Sequence, residues 1–331
     1  MRRVTLRQLD LFAAVARTQS LTRAAAEMHL TQPAVSMQVN QLEEAYGLPF
    51  LEPDGRGVRL TDAGREFAER VEEVLDRVQN LDELSARLRG VRTGRIRLGV
   101  VSTAKYFVPR LLGQFLRSHP GIDFRLSVHN REEILGELRG NTVDLVIMGR
   151  PPEGMDLKAT PFAPNLLGIV AAPEHPLSRR RRMELSELSG EPFIIREQGS
   201  GTRAAMERVF AEHRLKFHAR MEMTSNETIK QAVMAGLGLG FLSLHTVRTE
   251  LAAGRLVLLE VVGLPLRRQW FVVRRATRRL VPAAEEFGQF LLREAEGLLN
   301  AEGNLLEILA PQAAAPKPGR QRRKARSRKH S

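Results

Sequence analysis

The chain changes its hydrophobic period once, and the change divides it. Phe67, Val71, Val74, Val78, Leu81, Ser85 and Leu88 recur at alternating steps of four and three residues, a heptad seam held over three repeats. The stretch Arg89 to Arg95, RGVRTGR, then supplies two glycines and marks a hinge. Beyond it the period is two, with Ile96, Leu98 and Val100 alternating as in a strand. A helical first part therefore feeds a second part that contains a sheet.

The seam is surrounded by Glu69, Arg70, Glu72, Glu73, Asp76 and Arg77. That pattern predicts a coiled coil between two copies, with Val71, Val74, Val78, Leu81 and Leu88 as its dimerisation residues. An amphipathic helix lying on its own domain is the alternative. Ahead of the seam, Leu6 to Ala16 reads as a helix with Leu9, Phe12, Ala13 and Ala16 on one face. Thr22 to Met28 is a short alanine-rich helix, and a further helix starts at Thr31. The Thr31 hydroxyl can cap its amides, Pro33 sits in its first turn, and Gly47 ends it. Val35, Val39 and Leu42 form its apolar stripe, leaving Gln32, Ser36, Gln38, Asn40 and Gln41 largely off it. A face of amides and hydroxyls suits base edges in a major groove, although an ordinary solvated helix has the same look. Pro49 to Leu60 reads as a two-stranded wing with Arg56 and Arg59 at phosphate height.

In combination these stretches resemble the LysR-type transcriptional regulators: LRQLDLFAAVA, SLTRAAAEMHLTQPAVSMQVNQLEE and GVRLTDAGREF, in that order. The resemblance runs on to about Glu296. VSTAKYFVPRLL, VDLVIMGRPP, EQGSGTRAAMERVF and MTSNETIKQAVMAGLGLGFLSLHTV resemble the CbbR-type subgroup, regulators of Calvin-cycle CO2-fixation operons. It implies an α/β chain with an all-α N-terminal part: a winged helix-turn-helix, a long linker helix, and a two-lobed effector domain like a periplasmic binding protein. The expected bounds are 4–61 for the DNA-binding domain, 62–92 for the linker and 93–300 for the effector domain. Lobe I would take about 93–163 and 267–300, lobe II about 164–266, with crossing segments near Ala163 and Leu266. DNA contacts are expected from Thr31, Gln32, Pro33, Ala34, Ser36, Gln38, Arg56 and Arg59. Met37 and Pro53 stand where many members of the family carry arginine.

In the second part, strands and helices alternate. A strand from Ile96, a helix from Val108 to Leu116, a strand from Ile122 to Val128 and a helix opened by the capping pair Asn130 and Glu133 lead to the strand Val143 to Met148. The rhythm recurs with strands at Phe193 to Arg196, Arg220 to Met223 and Leu239 to Leu242 and helices from Thr202 and Asn226. Leu256 to Glu260 and Gln269 to Arg274 are late strands. Such alternation signals a parallel sheet, which binds ligands at the carboxyl ends of its strands.

Two strand-to-helix turns there bring hydroxyls, helix amides and a cation together: Ser102-Thr103-Ala104-Lys105 and Ser200-Gly201-Thr202-Arg203. Each is what an anion requires, and each is also a plain capped turn. Arg150 and Thr228 are further wall candidates. The family resemblance implies effector contacts at Ser102, Thr103, Thr202 and Thr228. For the subgroup it implies a phosphorylated Calvin-cycle metabolite or NADPH, bound without any covalent cofactor.

Composition bounds the rest. The 331 residues contain no cysteine, so disulfides, thiolate zinc sites and a cysteine nucleophile are excluded and a reducing compartment is expected. MRRVTLRQLD lacks an apolar segment behind its arginines, and no apolar run reaches membrane length, so a soluble, cytoplasmic chain without a membrane partner is expected. No Walker lysine motif, GxSxG or HExxH occurs, which argues against an enzyme or a metal site. Net charge is +13, but eight basic residues and no acid fall between Pro311 and Ser331, leaving +5 for residues 1–310. Residues 1–60 hold seven arginines and six acids. Specific contact rather than bulk charge must therefore carry any reading of DNA. The basic tail, 301–331, is expected to be disordered, serving as a nonspecific DNA arm or a solubilising extension.

The expected function is a DNA-binding homodimer or tetramer, with RNA polymerase as a further partner, recognising an interrupted palindrome in double-stranded DNA. Its two reading helices would lie about 34 Å apart. A regulator of another pathway, such as aromatic catabolism, and a solute-binding protein are the rival readings.

Overall fold

The computed structural model describes residues 4–55, 57–88 and 93–301, with the side chains of 79, 80 and 82–88 outside that description. Arg56, the Ser85 and Leu88 side chains, hinge residues 89–92 and the tail from 302 onward lie outside the described residues.

Three helices open the chain: α1 (Leu6–Thr18), α2 (Leu21–Glu27) and α3 (Gln32–Tyr46). α1 starts on a capping box in which the Thr5 hydroxyl accepts from the Gln8 amide and the Gln8 side chain accepts from the Thr5 amide. α2 is capped by Ser20. Thr31 occupies the cap position of α3, but its hydroxyl makes no capping bond, contrary to expectation. Pro33 at the second helical position has removed one of the two amides such a hydroxyl can reach. Gly47 closes α3 with φ at 70°, a left-handed conformation that costs glycine little.

The hairpin β1 (Leu51–Asp54) and β2 (Gly57–Leu60) follows as the expected wing, antiparallel with Leu51 opposite Leu60. α4 (Asp62–Leu88) then begins on a Thr61 cap, with the Gly64 amide 2.9 Å from the hydroxyl. A Cβ at Gly64 would lie 2.0 Å from the Phe50 carbonyl oxygen, so only glycine lets α4 ride this close to the wing. That approach stacks Phe67 on Phe50 with ring centroids 4.1 Å apart. The helical core collects Phe12, Val15, Val35, Val39, Leu42 and Phe50.

The heptad seam consequently splits. Phe67 packs against this core and Val71, 2% exposed, is part of it, so Val71 is spent within its own chain. Val74 and Leu81 stay 40% and 64% exposed, and Val78 is half-buried.

The remaining strands form one nine-stranded sheet. In chain order its elements are β3 (Thr93–Val101), α5 (Val108–Ser118), β4 (Gly121–His129), α6 (Arg131–Arg139), β5 (Leu145–Met148) and β6 (Leu157–Ala171). There follow β7 (Pro192–Arg196), α7 (Gly201–Glu212), β8 (His218–Met223), α8 (Asn226–Met234) and β9 (Leu239–Ser243). α9 (Leu244–Ala252), β10 (Val257–Leu258), β11 (Leu266–Arg275) and α10 (Pro282–Asn300) complete it. The strand order is β4-β3-β5-β11-β6-β9-β7-β8, with β10 on β6.

The expected parallel pairing holds on each flank, β4-β3-β5 and β9-β7-β8. It fails in the middle, where β6 and β11 run antiparallel from Leu157 opposite Arg275 to Leu167 opposite Leu266. β6 escapes a periodicity reading because Pro161 and Pro164 interrupt it. The ladder absorbs them with a register shift between Trp270 and Phe271. This pair forms the two crossings, with Ala163 opposite Trp270.

Cores lie to either side of the crossing. One joins Leu98, Val100, Leu111, Phe115, Ile147 and Phe287. Beyond it, Phe193 and Ile195 belong to one cluster and Ile194 to another, so β7 is covered on both faces.

α4 docks on the first of these lobes through charge. Asp76 meets Arg278 at 2.7 Å and Arg97 at 3.5 Å, and buried Asp144 meets Arg97 at 2.7 Å and Arg278 at 3.0 Å. Glu72 accepts a 2.7 Å bond from Asn141. Burial pushes the carboxyls of Glu72 and Asp76 above their ordinary values, outweighing the nearby donors and cations. Among the described residues, no helix is long and apolar enough to cross a membrane.

Candidate functional site

Two surfaces stand out. On α3, burial of Val35, Val39 and Leu42 turns the other face outward. Thr31, Gln32 and Pro33 are exposed there, while Ala34, Ser36 and Gln38 are half-buried. Met37, 53% exposed, stands among them, and Gln41 is held by the Gln8 side chain at 3.3 Å. With no side-chain cap, the start of α3 keeps its Thr31 hydroxyl and helix amides available to an incoming phosphate. On the wing, Arg59 already pairs with Glu52 at 2.9 Å, as Arg17 does with Glu27 at 2.5 Å.

The second surface is the cleft between the lobes. β3 and β7 end facing it, and the amide of Ser102 is held by the His129 carbonyl at 2.8 Å. Five of the expected residues line the same cavity: Ser102 and Thr103 from one lobe, Ser200, Gly201 and Thr202 from the other. The cavity is small, about 30 Å³. That is room for a few waters at most, and the contacts that join the lobes lie beside it.

Arg196 is the main join. It ends β7, is 3% exposed, and forks onto Glu197 with two 2.7 Å bonds. The same guanidinium donates to Asn226 at 2.7 Å and, across the cleft, to Ser102 at 3.0 Å. Further bridges are Glu132 N–H to the Gly199 carbonyl at 3.3 Å and the Tyr106 hydroxyl to Glu227 at 3.3 Å. Burial and Glu227 raise the Tyr106 pKa, so that hydroxyl stays a donor.

The other expected effector residues fall elsewhere. Ala104 is fully buried in the first lobe's core. Lys105 stands exposed, 5.3 Å from the Tyr106 ring centroid. Arg203 is turned into its own lobe, bonded to Glu207, Glu222 and the Arg196 carbonyl. Thr228 uses its amide for the Ser225 cap and leaves its side chain exposed outside the lining. Arg150 lies in a neighbouring cavity. Thr228 is expected from the family resemblance and the others from charge or position in a turn, and none of these says which way a side chain turns.

Sequence reasoning missed Arg196, Asn130, Arg131, Asn165, Ser243, Arg268 and Trp270, all of which line the cleft. Arg196 had a signal: an arginine closing the apolar strand FIIR sits at a carboxyl end, where ligands bind. Asn165 had none, since it lies on the proline-interrupted β6, where it accepts from Ser243 at 2.9 Å. Trp270 is 1% exposed, and among the described residues its indole N–H has no hydrogen-bond partner. The lining is thus rich in donors and holds no carboxylate; beside it, Glu197 is committed to Arg196 and the Glu132 carboxylate lies against Gly199. Such a set binds a small anion. His245 is packed, its ring 5.1 Å from Phe107 with a 3.1 Å bond to the Pro164 carbonyl. Among the described residues no three His, Asp or Glu side chains are grouped to hold a metal.

Comparison with known proteins covers both parts of the chain. Residues 6–65 match the family model of the bacterial regulatory helix-turn-helix protein, lysR family, and residues 89–296 match the LysR substrate binding domain. A RuBisCO operon transcriptional regulator from Allochromatium vinosum is 49% identical over 292 residues, 88% of this chain and 97% of that protein. The HTH-type transcriptional regulator CbbR of Rhodospirillum rubrum is 49% identical over 286 residues, 86% of this chain and 95% of that one. Among solved structures, the CcmR regulatory domain of Synechocystis PCC6803 in complex with 2-PG is 41% identical with a TM-score of 0.59, covering 60% of this chain and 96% of that one. The chain belongs to the LysR family, bacterial helix-turn-helix transcriptional regulators rather than enzymes.

Proposed function

We propose that this regulator controls CO2-fixation genes, reading a promoter palindrome through α3 and changing its grip when an anionic metabolite enters the interlobe cleft. The observation that carries the ligand reading is the cleft lining itself, which brings hydroxyls and guanidinium groups from both lobes and holds no carboxylate. The relatives named for the RuBisCO operon support the target, and a 41% identical regulatory domain solved with 2-phosphoglycolate supports an anion. On this reading no covalent cofactor is needed, and a phosphorylated Calvin-cycle metabolite or NADPH is the effector class.

DNA contacts are assigned to Thr31, Gln32, Pro33, Ala34, Ser36 and Gln38, with Arg56 and Arg59 on the wing. Effector contacts are assigned to Ser102, Thr103, Ser200, Gly201 and Thr202, joined by Arg196. The domain bounds 4–61, 62–92 and 93–300 are kept. Dimers form along α4 on Val74, Val78 and Leu81, pair into tetramers and meet RNA polymerase at the promoter, in the cytoplasm where the DNA is. Ligand binding acts by favouring one lobe arrangement, which shifts the angle between paired reading heads.

The test is a footprint titration on a ribulose-bisphosphate carboxylase promoter at two salt concentrations, with and without 2-phosphoglycolate, ribulose 1,5-bisphosphate and NADPH. A protected inverted repeat whose length changes with one metabolite is the expected result. Absence of selective protection at either salt defeats the pathway assignment.

A further inference from the structure

Beside the cleft lies a second cavity of about 370 Å³, sharing Arg131, Gly201 and Arg268 with the cleft lining. Four guanidinium groups bound it, brought together from separate elements. Arg131 opens α6, Arg150 follows β5, Arg208 sits on α7 and Arg268 on the crossing strand β11. The one carboxylate in the lining is Glu153, 86% exposed, which pairs with Arg150 at 2.6 Å. Among the described residues, neither Arg208 nor Arg268 has a carboxylate partner. Arg131 is itself anchored, its Nε donating to the Arg150 carbonyl at 3.4 Å and its Cδ 3.2 Å from where a Cβ on Gly201 would stand.

Like charges held together at partial burial repel, and here the chain supplies little to offset them. Burial first, and then Arg208, Arg150 and Arg131, bring the Arg268 pKa down to about 10. Arg131 is lowered by the same causes, burial followed by Arg208 and Arg150. Arg131 and Arg268 are half-buried while Arg150 and Arg208 are exposed, so the cavity opens to solvent through the latter two, and an anion is what would neutralise the half-buried pair.

We infer that the arginine cavity is a second anion subsite, contiguous with the cleft through Arg131 and Arg268, and that the ligand filling both carries a phosphate-type group at each end. This rests on the reading of the cleft as an anion site. A ligand with one phosphate satisfies the cleft alone; one with two spans the shared wall and draws the four arginines onto its far end. Arg208 then determines specificity, since it touches the second cavity without lining the first.

The experiment is calorimetric titration of the full chain with a matched pair, ribulose 5-phosphate and ribulose 1,5-bisphosphate, for wild type, Arg208→Met and Arg208→Glu. Wild type should prefer the bisphosphate by about tenfold or more, the scale of one charge-assisted contact set. Arg208→Met should reduce that preference by about fivefold and Arg208→Glu should abolish it, with the monophosphate affinity altered less than about twofold. Arg208 is exposed, and removing a repelling charge should leave the melting temperature equal or higher. A bisphosphate preference that survives Arg208→Glu, or a wild type that binds both ligands equally, overturns the second subsite while leaving the cleft reading intact. Failure of wild type to bind either compound overturns both.

Discussion

Arg59 on the wing and Arg268 on the crossing strand both stand beside a proposed polyanion, and they are held in opposite ways. Arg59 is paired with Glu52 and remains 59% exposed, so its charge is shared and its side chain can swing to a phosphate. Arg268 is half-buried, faces three other arginines and has no carboxylate partner among the described residues. On the proposed reading, the reading head avoids bulk attraction for DNA and leaves discrimination to Gln32, Ser36 and Gln38. The effector part concentrates unbalanced charge where water is partly excluded, so that a small anion gains much from entering. Paired charge suits a surface that must tell one polyanion from another; unpaired charge suits one that must capture a dilute ion.

The contrast breaks most severely at Arg196. Arg196→Met removes the guanidinium that joins Glu197, Asn226 and Ser102, leaving a half-enclosed carboxylate without its partner. Loss of roughly 3–5 kcal/mol in denaturant unfolding is expected, with effector binding abolished in calorimetry and operator binding at low temperature retained. Next is Gly64→Ala. With a methyl 2.0 Å from the Phe50 carbonyl, α4 must shift on the wing. A cost of about 1–3 kcal/mol is expected, visible as weaker operator binding without any change in ligand affinity.

The reading head should itself divide by contact type. Gln32→Ala should cost about 1–3 kcal/mol of discrimination between operator and mismatched DNA. Arg59→Met should weaken binding to all sequences alike and reduce the salt slope by about one. Equal salt slopes for the two variants would erase the distinction between paired and reading residues.

The smallest effect is a pH response at the α4 docking site. Because burial raises the Glu72 and Asp76 pKa values, the docked form takes up protons more readily than the undocked one. Docking is then fully favoured below the ordinary values of 4.5 and 3.8 and weakens as pH rises through the raised ones. Glu72→Gln, which keeps the oxygen that accepts from Asn141, should raise the neutral-pH melting temperature by a few degrees at most and flatten its acid dependence. An unchanged profile would mean that these carboxyls do not govern docking.

Much of this was legible in the chain, and the misses share a cause. Thr5 with Gln8 and Asn130 with Glu133 are capping boxes whose partners lie three residues apart, so their signal is local and complete. The heptad seam was equally visible, yet its period could not say that Phe67 and Val71 would be claimed by Phe12 and Phe50 while Leu81 stayed open. Ser102 and Thr202 were found because strand-to-helix turns carry a recognisable order. Lys105 and Arg203 were misplaced because that same order is silent about direction. β6 was hidden by its prolines, and with it Asn165.

From its own order of residues, the chain determined its change of period, its helix starts and stops, the wing and the carboxyl-end turns, because each depends on neighbours within about one turn or one hairpin. Only the tertiary structure decided the antiparallel crossing of β6 and β11, the Arg196 bridge and the gathering of Arg131, Arg150, Arg208 and Arg268. Those depend on sheet register and on which faces pack, and residues that far apart meet only once both are settled.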